Sequence, residues 1–261
     1  MLSSLLAEGF LLQMTVIFLL QLSTSLWPFL YFTPMKITGV GFPHLILQII
    51  GVSFLLALAI LFPYLPSNFW FSSEVLLFVV PIIFWIFVYF RTSESDDNRR
   101  SKFLRPLGGW LLFQLVLKAL VPNSLIFSLQ SLVLGGAIYA MCLGRYYLVV
   151  PKLSNQFLLR VAKLFWFLLI FKLILAVIWY LKFMPDLAWV PLANDYFHLM
   201  MVLMGIIWGW LGTIVLAYFG QRLTKMNSIQ SATGIYYIVV FFVLTGFLLS
   251  NYYFYKYKIL F

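Results

Sequence analysis

The chain alternates between long apolar runs and short polar segments. A helix needs roughly 20 apolar residues to cross a hydrocarbon core, and windows of about that size give eight candidates. A strand of a membrane barrel would instead alternate polar and apolar residues over about ten positions. The pattern therefore predicts an all-α, polytopic integral membrane helical bundle with about eight transmembrane helices. The predicted spans are Gly9–Phe32, Val40–Phe62, Ser73–Phe90, Phe103–Val121, Ser124–Leu143, Phe157–Met184, Tyr196–Phe219 and Gly234–Phe254.

Composition supports a single transmembrane domain over residues 1–261. Hydrophobic residues make up 64% of the chain and charged residues 9%, whereas soluble domains carry about 25% charged residues. The only extended hydrophilic segment, residues 91–102, is predicted to be a cytoplasmic loop between two four-helix halves. The first apolar run lacks a basic start and a cleavage site, which favours a membrane span over a signal peptide. Cys142 is the only cysteine, so an intramolecular disulfide is excluded.

The distribution of lysine and arginine predicts the orientation. With eight spans, twelve of the 17 basic residues lie on one side and four on the other, with Lys172 inside a span. Because short cytoplasmic loops are enriched in Lys and Arg, the basic side is predicted to be cytoplasmic and both termini external. The expected location is the bacterial cytoplasmic (inner) membrane. The net charge of +10 is interpreted as an orientation and anionic-lipid signal, with no nucleic-acid partner.

Lys172 is the most unusual polar residue because it lies at the centre of the sixth run. Placing a lysine at that depth costs roughly 2.5–3.5 kcal/mol on insertion scales, and such residues often mark functional sites. Two interpretations stay open: a functional cation, or a structural pair with a neighbouring helix.

Other polar candidates share helix faces. His44, Gln48 and Gly51 are spaced for one face of the second helix, and Gln114 and Lys118 for one face of the fourth. In the seventh helix, a stripe runs from His198 through Met201 to three glycines that predict close helix packing. Those glycines are Gly205, Gly209 and Gly212. Six acidic or other polar residues are predicted to lie on the external face: Glu8, Glu74, Lys118, Asp186, Asp195 and His198. They could line a pocket, or they could be the polar residues that ordinarily occur at helix ends.

The two histidines suggest haem or copper, since imidazole binds both. The predicted topology places His44 near the cytoplasmic start of helix two and His198 near the external start of helix seven. About 16 residues of depth then separate them by roughly 24 Å, too far to ligate one metal ion. A copper or single-ligand haem site at His198 and Met201 stays open.

Two segments carry a family resemblance. Asp195-Tyr-Phe-His-Leu-Met-Met-Val-Leu-Met-Gly-Ile-Ile-Trp-Gly209 resembles the histidine-bearing helices of haem-copper oxidase subunit I-like and nitric-oxide-response (NnrS-type) membrane proteins. Phe42-Pro-His-Leu-Ile-Leu-Gln-Ile-Ile-Gly51 is similar to the other such helix. The resemblance covers two of the eight predicted spans. It implies descent from a haem- or metal-binding helical bundle.

The sequence favours three functions over a fourth, lipid modification, because lipid-modifying enzymes usually show several acidic or histidine residues near one interface. The favoured one is a non-catalytic subunit or scaffold of a larger membrane complex, surrounded by the lipid bilayer and other membrane subunits. The second is a small-solute or lipid transporter that uses Lys172 and the His198 region. The third is a haem- or copper-binding membrane protein. No residue is assigned a catalytic role, and the sequence favours a protein without enzymatic activity.

Overall fold

The continuously apolar runs form helices, which satisfy every backbone hydrogen bond within one segment. The computed structural model describes residues 10–33, 38–64, 75–92, 99–120, 124–150, 156–183 and 196–257, and these residues contain no strand. They form eight continuous helices, which fits the predicted number. The first six are α1 (Phe10–Tyr31), α2 (Gly41–Leu61), α3 (Leu76–Arg91), α4 (Arg99–Leu120), α5 (Ser124–Val149) and α6 (Gln156–Phe183).

Helix α7 is built in three consecutive parts. An α-helical part, Tyr196–Ile206, is followed by a π-helical turn, Ile207–Gly212, and by a second α-helical part, Thr213–Lys225. The last helix, α8, spans Ile229–Tyr257. The residues Ile207–Gly212 are called the π segment below.

Six described helices are long and apolar enough to cross a membrane, which supports a membrane location. They are α1, α2, α5, α6, α7 and α8. Helix α3 is apolar but has only 16 residues. Helix α4 begins with the basic residues Arg99 and Arg100.

Several helix ends differ from the sequence prediction. The predicted span Ser124–Leu143 ends before Gly144, but α5 continues to Val149. Helix α8 begins at Ile229 rather than at Gly234, and α4 begins at Arg99, inside the hydrophilic segment 91–102. Polar residues near the end of an apolar run therefore do not end the helix. Lysine, arginine and tyrosine side chains can reach the polar surface of a membrane while their backbone stays helical.

The chain divides into two compact units, Met1–Gly135 and Gly136–Phe261, and the division falls within α5. In the first unit, aromatic rings link four helices. The fully buried Trp27 ring of α1 lies 6.0 Å from Phe84 of α3 and 5.5 Å from Phe113 of α4. Phe113 also lies 4.6 Å from Phe54 of α2. Gly109 of α4 makes room for the Trp27 ring, because a Cβ atom there would overlap it.

In the second unit, α7 packs along α8, and its last part also packs against α6. The buried Tyr236 ring of α8 lies against Gly220 of α7, and its hydroxyl lies 3.4 Å from the Thr224 hydroxyl. Farther along the pair, Tyr253 packs with Val202 and Met201. The two helices are joined by a turn at Asn227, whose φ of 60° is one that asparagine tolerates.

Candidate functional site

Lys172 lies in the membrane-length part of α6, Gln156–Ile178. Its Nζ atom lies 4.9 Å from the centre of the Trp210 ring. A cation over an aromatic face is attracted by the ring quadrupole, and the attraction strengthens when water is excluded. The described residues include no aspartate or glutamate. Within them, Lys172 therefore has no carboxylate partner, and the Trp210 ring lies at a cation–π distance from its ammonium group.

Trp210 belongs to the π segment of α7. The extra residue in such a turn leaves the regular hydrogen-bond pattern incomplete, and π turns occur often at functional sites. The Thr213 hydroxyl donates a hydrogen bond of 3.2 Å to the Trp208 carbonyl, five residues earlier. Thr213 is fully buried, so this bond pairs a backbone carbonyl of the irregular turn inside the protein.

A close approach of two glycines fixes the π segment against α8. A Cβ atom on Gly209 would lie 2.6 Å from the Gly246 Cα. Beside this crossing, the Trp208 ring meets Phe242 edge-on with centres 5.1 Å apart, and Gly212 also faces the Phe242 ring. The turn that carries Trp210 is thus held by backbone contact, while its tryptophan extends to Lys172.

A second polar cluster lies in the first unit, between α2 and α3. The His44 and Tyr89 rings meet edge-on at 4.7 Å, and Gln48 donates a hydrogen bond of 3.3 Å to the Tyr89 hydroxyl. Trp85 covers Gly51 and donates a 2.8 Å hydrogen bond to the Leu47 carbonyl. His44 Nδ1 is buried, with no hydrogen-bond partner among the described residues. The cluster offers one unpaired imidazole nitrogen beside a phenol.

Gln114 and Lys118 have different surroundings although they share a face of α4. The Ser128 hydroxyl of α5 donates a hydrogen bond to Gln114 Oε1, which ties α4 to α5 inside the first unit. Lys118 is exposed. Gln114 is therefore an interhelical contact, and Lys118 is a surface cation.

Several predicted site residues fall outside what the structure describes. Glu8, Glu74, Asp186 and Asp195 belong to undescribed segments, so the external polar pocket stays a prediction. The His198 backbone lies in α7, but its side chain is not described. A metal site at His198 and Met201, and the predicted 24 Å separation of the histidines, stay predictions too. The described residues bring no three His, Cys, Asp or Glu side chains together.

Sequence reasoning missed Trp210, Tyr89 and Trp85, the aromatic partners of the predicted polar residues. Tryptophan and tyrosine are abundant in this chain, so their presence alone does not single out a site. A search for aromatic residues able to reach each intramembrane polar group would have included Tyr89. For Trp210 no sequence signal exists, because its position depends on the π segment.

Comparison of the chain with protein-family models, with curated proteins and with solved structures gave no match.

Proposed function

We propose that this membrane protein is a non-catalytic subunit or scaffold of a larger membrane complex. In this proposal eight helices span a bacterial cytoplasmic membrane, with both termini external. The charge distribution along the sequence supports the orientation. Other membrane subunits and the lipid bilayer are the proposed partners.

The uncovered surface of α6 and α7 carries this proposal. In an apolar 18-residue window of α6 and in one of α7, only 22% of the residues are buried, against 44–56% in the corresponding windows of the other four membrane-length helices. Helices associate in membranes through van der Waals packing and interhelical hydrogen bonds. Two long helices with so little cover from the described residues offer a surface on which helices of another subunit can pack.

A tagged protein purified from native membranes in mild detergent tests the proposal. We expect partner chains at constant stoichiometry, and we expect Ile174→Trp on the exposed face of α6 to lower their yield. Leu111→Trp, at a similarly exposed position on α4, should leave the yield unchanged. A well-folded sample without stoichiometric partners, or equal effects of the two substitutions, would contradict the subunit proposal.

A transporter is the second candidate, and the Lys172–Trp210 contact favours it. An ionisable residue at membrane depth often marks a substrate or ion path, and this one lies against a π turn. A transport path requires that water reach the lysine from one side of the membrane.

Thiol labelling tests that access, because the chain has a single cysteine. In a Cys142→Ala background, Lys172→Cys should react with a charged, membrane-impermeant methanethiosulfonate. Leu173→Cys, at the neighbouring exposed apolar position, should react much more slowly because lipid excludes the charged reagent. An unreactive Cys at position 172 in a folded variant would rule out a water path at this depth.

The third candidate, a haem- or copper-binding protein, follows from the resemblance of helices two and seven. The unpaired His44 Nδ1 supports it, because a neutral imidazole nitrogen is a ligand for both groups. Among the described side chains, His44 is the one histidine. An absorption spectrum and metal analysis of the purified protein test this candidate.

A further inference from the structure

A basic groove lies where the last part of α7 ends. It is partly open, with a volume of about 670 Å³, and the described residues that line it are Tyr218, Gln221, Arg222, Lys225 and Met226. This volume lies in the range of small-ligand sites. Within the part of the chain that the structure describes, neither the Arg222 nor the Lys225 side chain makes an ion pair or hydrogen bond. Among the described residues, the groove thus presents two cations whose donors have no protein partner.

The helix end that carries these cations has a defined shape. The Ser228 amide donates to the Leu223 carbonyl at 3.0 Å, and the Asn227 amide donates to the Thr224 carbonyl at 3.2 Å. With Asn227 in the left-handed conformation, these bonds form a Schellman motif. The motif pairs the Leu223 and Thr224 carbonyls with backbone amides, so Arg222 and Lys225 are not needed to cap these two groups.

An exposed apolar track leads along α7 to the groove. Val215, Tyr218 and Arg222 are spaced by three and four residues, so they lie on one helix face. Leu211 is 58% exposed and Val215 52% exposed, and both precede the basic end. Seven residues from Leu211 to Tyr218 cover roughly 10 Å along the helix, a large part of one hydrocarbon leaflet of about 15 Å.

We propose that this groove binds one anionic phospholipid, with its phosphate on Arg222 and Lys225 and an acyl chain along Leu211 and Val215. Arginine provides paired donors for phosphate oxygens, and lysine adds a point charge. Gln221 and Tyr218 place further polar groups at the headgroup level. The apolar track distinguishes a lipid from a soluble phosphate, because free phosphate uses only the basic end.

Native mass spectrometry of the full chain in detergent tests the proposal by measuring the dissociation constants of phosphatidylglycerol and phosphatidylcholine. We expect one phosphatidylglycerol to bind more tightly than phosphatidylcholine. The double variant Arg222→Gln, Lys225→Gln should bind phosphatidylglycerol roughly 30-fold more weakly, from two surface cations. Arg145→Gln, Lys163→Gln removes the same charge from two other exposed positions and should change that constant by less than about threefold.

The following results would overturn the proposal. Equal binding of the two lipids, or equal losses in the two double variants, would show only general charge attraction. Competition is measured with inorganic phosphate and with deacylated glycerophosphoglycerol. Full competition by either one at the concentration of the lipid would assign the groove to a soluble phosphate compound instead. Thermal unfolding of each variant confirms that the compared proteins are folded.

Discussion

Replacing Gly246 by valine is expected to lower the free energy of unfolding by about 3 kcal/mol, at the upper end of the usual cost of overpacking. A Cβ atom at this position would overlap the Gly209 backbone on α7. A backbone atom cannot rotate away as a side chain can, so α7 and α8 must separate. Their separation would also remove the edge-on contact between Trp208 and Phe242. Unfolding in mixed micelles with increasing dodecyl sulfate, followed by circular dichroism, measures the loss.

Gly234→Val is the matched control, because it makes the same change in the same helix. Apart from the adjoining backbone of its own helix, no described atom lies within 4 Å of a Cβ built on Gly234. We therefore expect its unfolding free energy to stay within about 0.5 kcal/mol of the unsubstituted protein. Similar losses at positions 234 and 246 would show that the Gly209–Gly246 crossing does not hold the two helices together.

Trp27→Ala is expected to destabilise the first unit by about 3 kcal/mol, near the lower end of values for large-to-small aromatic substitutions. Trp27 is fully buried among Phe84, Phe113 and Gly109, so its removal leaves a cavity among packed helices. In a membrane the lost dispersion contacts account for most of the cost, since lipid is as apolar as the protein interior. The same dodecyl sulfate titration measures the change.

Phe90→Ala is the control for the loss of an aromatic side chain. Phe90 belongs to the same unit, on α3, but is 71% exposed. Its removal leaves no internal cavity, and we expect a change below about 0.5 kcal/mol. If both substitutions cost the same, the aromatic cluster around Trp27 would not be the core of that unit.

The sequence was sufficient to predict the helical class and the number of helices in the described parts of the chain. A continuous apolar run such as Val40–Phe62 predicts a helix, because a helix forms its backbone hydrogen bonds within a single membrane segment. The ends were harder to predict, as α5 shows by continuing through Arg145 to Val149. Near the end of an apolar run, charged and aromatic residues appear within a few positions, but the backbone there stays helical.

The sequence identified Lys172 as a candidate but not its neighbour. The position of Lys172 follows from counting residues along one helix, whereas the contact with Trp210 depends on how α6 and α7 pack. The same limit applies to Gly51. Its spacing predicted that it shares a helix face with His44, but it did not predict that the Trp85 ring packs against it. Contacts between helices depend on rotation and crossing angle, which a one-dimensional pattern does not contain.

The π segment also sets the direction in which the side chains of Thr213–Lys225 point around the helix axis. A π turn contains one residue more than a regular turn, and each residue of an α-helix advances the direction of the side chains by about 100°. If Ile207–Gly212 adopted regular α-helical geometry with all six residues kept, Thr213–Lys225 would rotate by about that angle. Gly220 and Thr224 would then lose their contacts with Tyr236. The irregular turn therefore sets which face of the last part of α7 packs against α8.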